Sequence, residues 1–179
     1  FAVTALLFHL ISGPAMNAYN RKKLLIASMG FMAIAFLGFG FSPNIADKLG
    51  LNSVQVLILF RFIQGVGNAF GNSCSLTIVA DTLPKEKFTT GVGYYACAQA
   101  ISQAIGPVVG VFLRDAIGYH NTYIFFFFIM LGAIILTAKV PVVPQKTIPF
   151  SLKWDNIIAK EILAPSSVTL FMILGYAAI

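Results

Sequence analysis

The sequence predicts an all-α membrane protein, a bundle of apolar helices lying side by side. Three observations carry that prediction. Of the 179 residues, 58% are hydrophobic and 10% charged, against about 45–50% and about 25% in soluble domains. A soluble globule of this length leaves much of its area in water, so seventeen Phe and a mean hydropathy of +0.86 call for a lipid solvent. Apolar stretches of about 20 residues also recur, the length of helix that crosses a hydrocarbon layer about 30 Å thick. This composition excludes a disordered segment, a collagen-like repeat and a nucleic-acid module. A membrane β-barrel would show segments of about ten residues alternating polar and apolar, and that alternation is missing.

Taken in order, the chain opens in the apolar run FAVTALLFHLI, without an initial Met, and stops inside another, VTLFMILGYAAI. Such ends are expected of an internal fragment of a longer protein. Between them lie four complete spans, residues 24–41, 54–79, 89–113 and 122–140, and the two part-runs raise the count to six. Arg61 is the one charge in the interior of the four. The connection from Gly13 to Lys23 is short, which predicts antiparallel neighbours, with Asn20 placed to reverse the chain in the left-handed conformation. Further on, Ser42-Pro43-Asn44, Leu83-Pro84-Lys85, Ile117-Gly118 and the proline-spaced residues 141–149 supply the breaks. Residues 1–141 therefore read as one transmembrane unit. Residues 142–166 read as a central linker carrying a short amphipathic helix on the membrane surface, with Trp154 at headgroup depth. Residues 167–179 read as the start of a further span.

Positive charge sets the expected orientation. Arg21, Lys22, Lys23, Lys85, Lys87, Lys139, Lys146, Lys153 and Lys160, nine of the twelve cations, fall on alternate connections. Lys48 and Arg114 occupy the opposite set, each beside an aspartate (Asp47, Asp115). The Arg21–Lys23 loop and the linker are thus expected to be cytoplasmic. The pI near 9.5 is then an orientation signal rather than a sign of an acidic partner or nucleic acid. Cys74 and Cys97 stand in apolar stretches without CxxC spacing and read as small buried hydrophobes.

The spans differ in polarity. Residues 24–41 carry no strong polar group, and residues 122–140 hold four consecutive phenylalanines, Phe125 to Phe128. Both are expected to face lipid as scaffold. In residues 54–79, Arg61, Gln64, Asn68, Asn72 and Ser75 recur at spacings of three, four, four and three, which puts them on one helical face. An intramembrane cation costs at least about 2.5 kcal/mol and should meet a wet cavity or a partner. Arg61 therefore reads either as lining a polar pathway or as a cation satisfied by carbonyls of a neighbouring helix. Gly67 and Gly71 are spaced for close helix approach. Residues 89–113 carry a second stripe, Tyr95, Gln99, Ser102 or Gln103, with Gly106 and Gly110 expected to allow tight crossing. Pro107 can kink that helix, as a packing feature or as part of a mechanism.

Together these features resemble the major facilitator superfamily of secondary transporters. Its loop between the second and third helices reads G-x-x-x-D-R-x-G-R-[RK]; Gly13, Arg21 and Lys22 match, while Asn17, Ala18 and Asn20 replace the acid, an arginine and a glycine. Its fourth helix carries R-x-x-Q-G, present as Arg61, Gln64 and Gly65. Its fifth carries G-x-x-x-G-P-x-x-G, matched at Gly106, Pro107 and Gly110 with Ser102 for the first glycine. Asp81 and Pro84 fit the D-x-x-P that often follows the fourth helix, with Phe88 in place of its arginine.

The resemblance implies an incomplete helical bundle of that superfamily, mainly its N-terminal six-helix half. It covers the family's second to sixth helices and the start of the seventh. It further implies secondary transport, with small-molecule substrates and protons as partners, and export by antiport in particular. Arg61, Gln64, Asn68, Asn72, Ser75, Gln99 and Gln103 would line the pathway. Gly106, Pro107, Gly110, Gly13, Asn17, Arg21 and Lys22 would serve conformational change, with Asn17 weakening a charge latch. The implied location is a cell membrane, multi-pass, as a monomer, without cofactor or metal. No Asp or Glu lies inside a span, so a proton-carrying acid is expected elsewhere in the whole protein. Uptake or uniport is the alternative within transport, and a receptor-like bundle the alternative outside it. An enzyme would need clustered titratable groups; His9 and His120 are far apart and each reads as structural or interfacial. Alternating access needs two halves, so one half alone is not expected to transport.

Overall fold

The computed structural model describes residues 2–141. The linker predicted at 142–166, with its Trp154 helix, and the span start predicted at 167–179 lie outside the described residues. Six helices follow one another: α1 (Ala2–Ala18), α2 (Arg21–Gly40), α3 (Ser42–Leu49), α4 (Ser53–Thr82), α5 (Phe88–Ile117) and α6 (Tyr119–Lys139), with a 3₁₀ turn at Lys85–Lys87 before α5. Helices α2, α4, α5 and α6 are long and apolar enough to cross a membrane, and α1 is apolar but shorter. The four predicted spans are all present, with ends shifted by a few residues.

The connections differ from the sequence expectation in two places. Helix α1 runs on through Gly13 and Pro14 to Ala18, leaving only Tyr19 and Asn20 as the link to α2. Asn20 is not left-handed but extended (φ −62°, ψ 116°), and its side chain accepts from the N–H groups of Lys22 and Lys23 at 3.0 and 3.2 Å. It starts α2 as an N-cap, satisfying two of the donors that a helix start leaves open. Ser42-Pro43-Asn44, read as a break, instead opens α3, because proline fits the first helical turn where no N–H is needed. Positive φ falls at Gly50 (64°), which ends α3, and at Gly118 (82°), which joins α5 to α6.

Packing centres on α2 and α4, with α1 and α3 against α4 and with α6 against α2. Small residues make the α2–α4 contact close. A Cβ on Gly67 would lie 2.8 Å from the Ser28 carbonyl oxygen and 3.0 Å from Met32, and one on Gly71 would lie 3.3 Å from Ser28 Oγ. Ser28, Ala33, Ala35, Gly38 and Phe39 of α2 are buried. The expectation that α2 is lipid-facing scaffold is therefore corrected. Apolarity alone does not distinguish a surface that meets lipid from one that meets a helix, whereas α2's small side chains allow the second.

Helix α6 packs on α2, with Thr122 its buried residue and Phe126 against Phe36 of α2 at 6.1 Å, so the expectation that it is lipid-facing scaffold holds for only part of its surface. Helix α5 buries no residue among those described. Cys97 on α5 is consequently exposed rather than buried, while Cys74 on α4 is fully enclosed and both thiols are free.

Candidate functional site

Helix α4 presents two polar faces, and each leads to a different site. On the face read from the sequence, Arg61 donates to Gln64 Oε1 at 2.9 Å, and its guanidinium lies 4.9 Å from the centre of the Phe39 ring. Neither partner is a carbonyl of a neighbouring helix. The side chain sits in a cavity of about 700 Å³ between α2, α4, α5 and α6. Gln64 shares that wall, Phe36, Phe39, Tyr123 and Phe126 supply aromatic surface, and Gly106, Pro107 and Gly110 of α5 stand opposite. A largely aromatic cavity that also holds Gln64 and two cations, Arg61 and Arg114, suits an organic molecule with an apolar body and an acceptor group.

The rest of the stripe is divided. Asn72 Nδ2 donates to Asn68 Oδ1 at 3.3 Å, linking these two amides one turn apart. Ser75 is half-buried beyond them. Gln99 and Gln103 lie on the exposed face of α5 and are not among the residues that line the cavity, and Ser102 Oγ donates to the Ala98 carbonyl at 2.8 Å. Among the described residues Gly106 and Gly110 make no tight crossing: a Cβ at either would meet no atom within 4 Å. Their small size shapes a cavity wall instead of a helix contact, and the α5 helix continues through Pro107 without interruption.

At the opposite end of the bundle, Arg21 of α2 forms an ion pair with Asp81 of α4. Arg21 is 15% and Asp81 41% exposed, and Arg21 Nε is buried with no further hydrogen bond among the described residues. Beside it, Lys22 Nζ donates to the carbonyl oxygens of Ala138 and Val140 at 2.7 and 2.8 Å. A cation there meets the negative end of the α6 dipole and two carbonyls left open at its C-terminus. Arg21 and Lys22 thus tie α2 to both α4 and α6. Asn17 is exposed on α1 and makes no side-chain hydrogen bond among the described residues, and Gly13 has open space around it.

The second face of α4 was missed from the sequence. Ser73 and Thr77 lead at four-residue steps to Asp81 and face α1. Ser73 Oγ is 3.2 Å from Ser12 Oγ and 3.3 Å from His9 Nδ1, and Thr77 Oγ1 meets Met16 Sδ at 3.7 Å. The i, i+4, i+8 spacing of Ser73, Thr77 and Asp81 is a signal that could have found it. His9 thus sits in a helix seam well inside α1. His120 ties the start of α6 to the end of α2, with Nδ1 2.8 Å from the Gly40 carbonyl oxygen and its ring across Phe41. Among the described residues no group of three or more His, Cys, Asp or Glu is arranged to hold a metal.

Apolar helices of spanning length, a largely aromatic cavity between them and ionic ties at one end define a multi-pass helical membrane protein. The chain belongs to the Major Facilitator Superfamily, whose family model matches residues 1–179. Among similar curated proteins, the multi-drug resistance efflux pump PmrA of Streptococcus pneumoniae is 28% identical over 154 residues, 83% of this chain and 36% of that protein. Multidrug resistance protein 3 of Bacillus subtilis is 27% identical over 126 residues, 70% of this chain and 22% of its own. The uncharacterized MFS-type transporter YvkA of the same bacterium is 28% identical over 163 residues, 91% and 34%. The chain spans about a third or less of the length of these relatives. No solved structure matches significantly.

Proposed function

We propose that the protein containing this chain exports small organic molecules across a cell membrane in exchange for protons, by alternating access between two halves. The observation that carries the reading is the cavity in which Arg61 and Gln64 of α4 face Gly106, Pro107 and Gly110 of α5. A cation held at membrane depth lowers the pKa of a carboxylate brought near it and makes that acid's protonation sensitive to what else occupies the site. Substrate and proton then exclude one another, which is the requirement for exchange. Two of the relatives quoted above bear names that specify multidrug resistance or efflux, and this favours export of varied organic compounds over uptake.

The end that carries Arg21, Lys22, Lys23 and Lys139 is the cytoplasmic one in this reading, following the excess of cations on that side. There the Arg21–Asp81 pair and the Lys22 cap hold α2, α4 and α6 together as one rigid unit during rocking. The partners are the transported compound, protons and the bilayer, and the working form is a monomer. The test is flux of candidate compounds in vesicles holding the full-length protein, with and without an imposed pH gradient. The reading expects flux that follows the gradient. Flux indifferent to it would remove the exchange with protons, and no flux of any compound would favour a receptor-like bundle.

A further inference from the structure

We infer that the groove between α2, α3 and α4 binds one anionic phospholipid, its phosphate on Lys48 and Asn44 of α3 and an acyl chain along α2. The inference goes beyond transport and is independent of proton exchange, since it asks only that these helices cross a bilayer.

The groove lies at the end of the bundle remote from the Arg21–Asp81 pair and has a volume of about 480 Å³. Helix α2 supplies Ile34, Leu37, Gly38 and Phe41, whose spacing puts them on one helical face. Phe36 and Phe39, which line the Arg61 cavity, stand on the opposite face of α2 at about 3.6 residues per turn. The groove is therefore separate from the cavity and opens on the other side of α2. There Ile34 is 51% and Phe41 37% exposed, so the described helices leave this face uncovered.

The ring of Phe60, from α4, lies where a Cβ on Gly38 would stand. Glycine at this position lets α4 close the floor of the groove with an aromatic surface. From Phe41 back to Ile34 the α2 wall runs about 10 Å, at about 1.5 Å per residue, toward the interior of a hydrocarbon layer about 30 Å thick. Helix α2 has the length and apolarity of a span. The medium against its uncovered wall is then hydrocarbon, and in a bilayer that means acyl chain.

The rim supplies the other half of the match. Helix α3 has 8 residues, too few to cross the layer, and it follows α2 directly, which places it at the membrane surface. It buries Ser42 and Ala46 and turns Asn44, Ile45 and Lys48 to the groove. Asn44 and Lys48 are four residues apart and therefore neighbours on one helix face. Both are exposed, and neither side chain has a hydrogen bond or ion pair among the described residues. Lys48 can lay its apolar stem along the groove and hold its ammonium at headgroup depth, where it binds a phosphate as a point charge. The Asn44 amide adds a donor one turn away. Lys48 is the one charged residue among those lining the groove, and Asp47 is not among them. A positive rim above an apolar slot selects a ligand with a phosphate at the surface and a chain beneath it, which is the build of an anionic phospholipid.

The test titrates phosphatidylglycerol into the delipidated full-length protein in detergent and counts bound lipid by native mass spectrometry. One tightly held lipid is expected, bound about fivefold more weakly by Lys48→Gln, the effect of one cation at the headgroup. Lys87→Gln, at an exposed lysine of the opposite end, should bind as the wild type does. Equal affinity in Lys48→Gln, or equal losses in the two variants, would overturn the site. Competition on the wild type separates the two parts of the ligand without any substitution. Glycerophosphoglycerol carries the headgroup without chains, and diacylglycerol carries chains without phosphate; neither should displace the lipid. Displacement by the first would make this a free-phosphate site, and displacement by the second a nonspecific apolar contact, and either would contradict the inference. So would a dimer without bound lipid, which would give the groove to a second copy of the chain.

Discussion

Helices α4 and α5 are the same length, thirty residues, and each carries a polar stripe and two glycines four apart. They are used in opposite ways. Helix α4 buries Val56, Gly65, Gly67, Ala69 and Cys74 against its neighbours, and α5 buries nothing among the described residues. Gly67 and Gly71 admit the α2 backbone at Ser28, whereas Gly106 and Gly110 open onto the cavity. The difference lies outside the two sequences. A glycine pair allows close approach only where the facing helix also offers small side chains, as α2 does with Ser28 and the alanines that follow it. Among the described residues α5 has no such partner, and the same spacing borders the cavity.

The largest expected effect sharpens this contrast on the α4 side. Arg61→Ala removes one of the two charged donors of the cavity, leaving Arg114, and should lower gradient-driven flux by roughly a hundredfold, the size of a lost charge-assisted hydrogen bond. Vesicle flux at normal rate would show that the cavity is not the pathway. Next come the glycines. Gly67→Ala forces a methyl to within 2.8 Å of the Ser28 carbonyl oxygen and should destabilise the protein by about 1–3 kcal/mol. Gly106→Ala meets open space and should raise stability by about 0.5–1 kcal/mol through helix propensity. Thermal unfolding of the purified full-length protein measures both. Equal losses at the two positions would mean that a segment outside the described residues packs on α5, and the contrast would break.

Smaller effects belong to the ionic end. Arg21→Ala should cost about 1 kcal/mol, since Asp81 is partly in solvent and regains hydration. Exchanging the pair, Arg21→Asp with Asp81→Arg, should recover part of that loss, and a double-mutant cycle on unfolding midpoints reads the coupling directly. Lys22→Ala should cost about 0.5 kcal/mol, the scale of a cation at a helix C-terminus, and raise amide exchange in the last turn of α6.

The positions of the spans were legible because hydropathy and length report on the solvent, and lipid is a uniform one. The partners of those spans were not. Helix α2 looked like scaffold because a lipid-facing and a helix-facing surface can have the same apolar composition. What separates them is the facing of Ser28, Ala33 and Ala35 onto Gly67 and its neighbours, which is a property of two segments at once. The polar face through Arg61 was legible from its period. Gln99 and Gln103 continue on α5 the face that carries Gly106 and Gly110, yet only the glycines are among the residues that line the cavity, because a stripe gives a face and not how far along it a cavity extends. Arg21 and Asp81 were each noticed as fragments of separate motifs, and only their shared end of the bundle makes them a pair. His9 looked isolated because its partner, Ser73, is 64 residues away.

The most direct test asks whether α4 and α5 meet at a space that water and substrate enter. Single cysteines at Gln64 and Gly110, and a control at Phe128 on the exposed face of α6, would be introduced into the full-length protein without its native thiols and treated with a membrane-impermeant thiol reagent. Labelling at 64 and 110, slowed at both by a transported compound and absent at 128, is the predicted result. Positions 64 and 110 as unreactive as 128, or reactive but indifferent to every transported compound, would contradict the account.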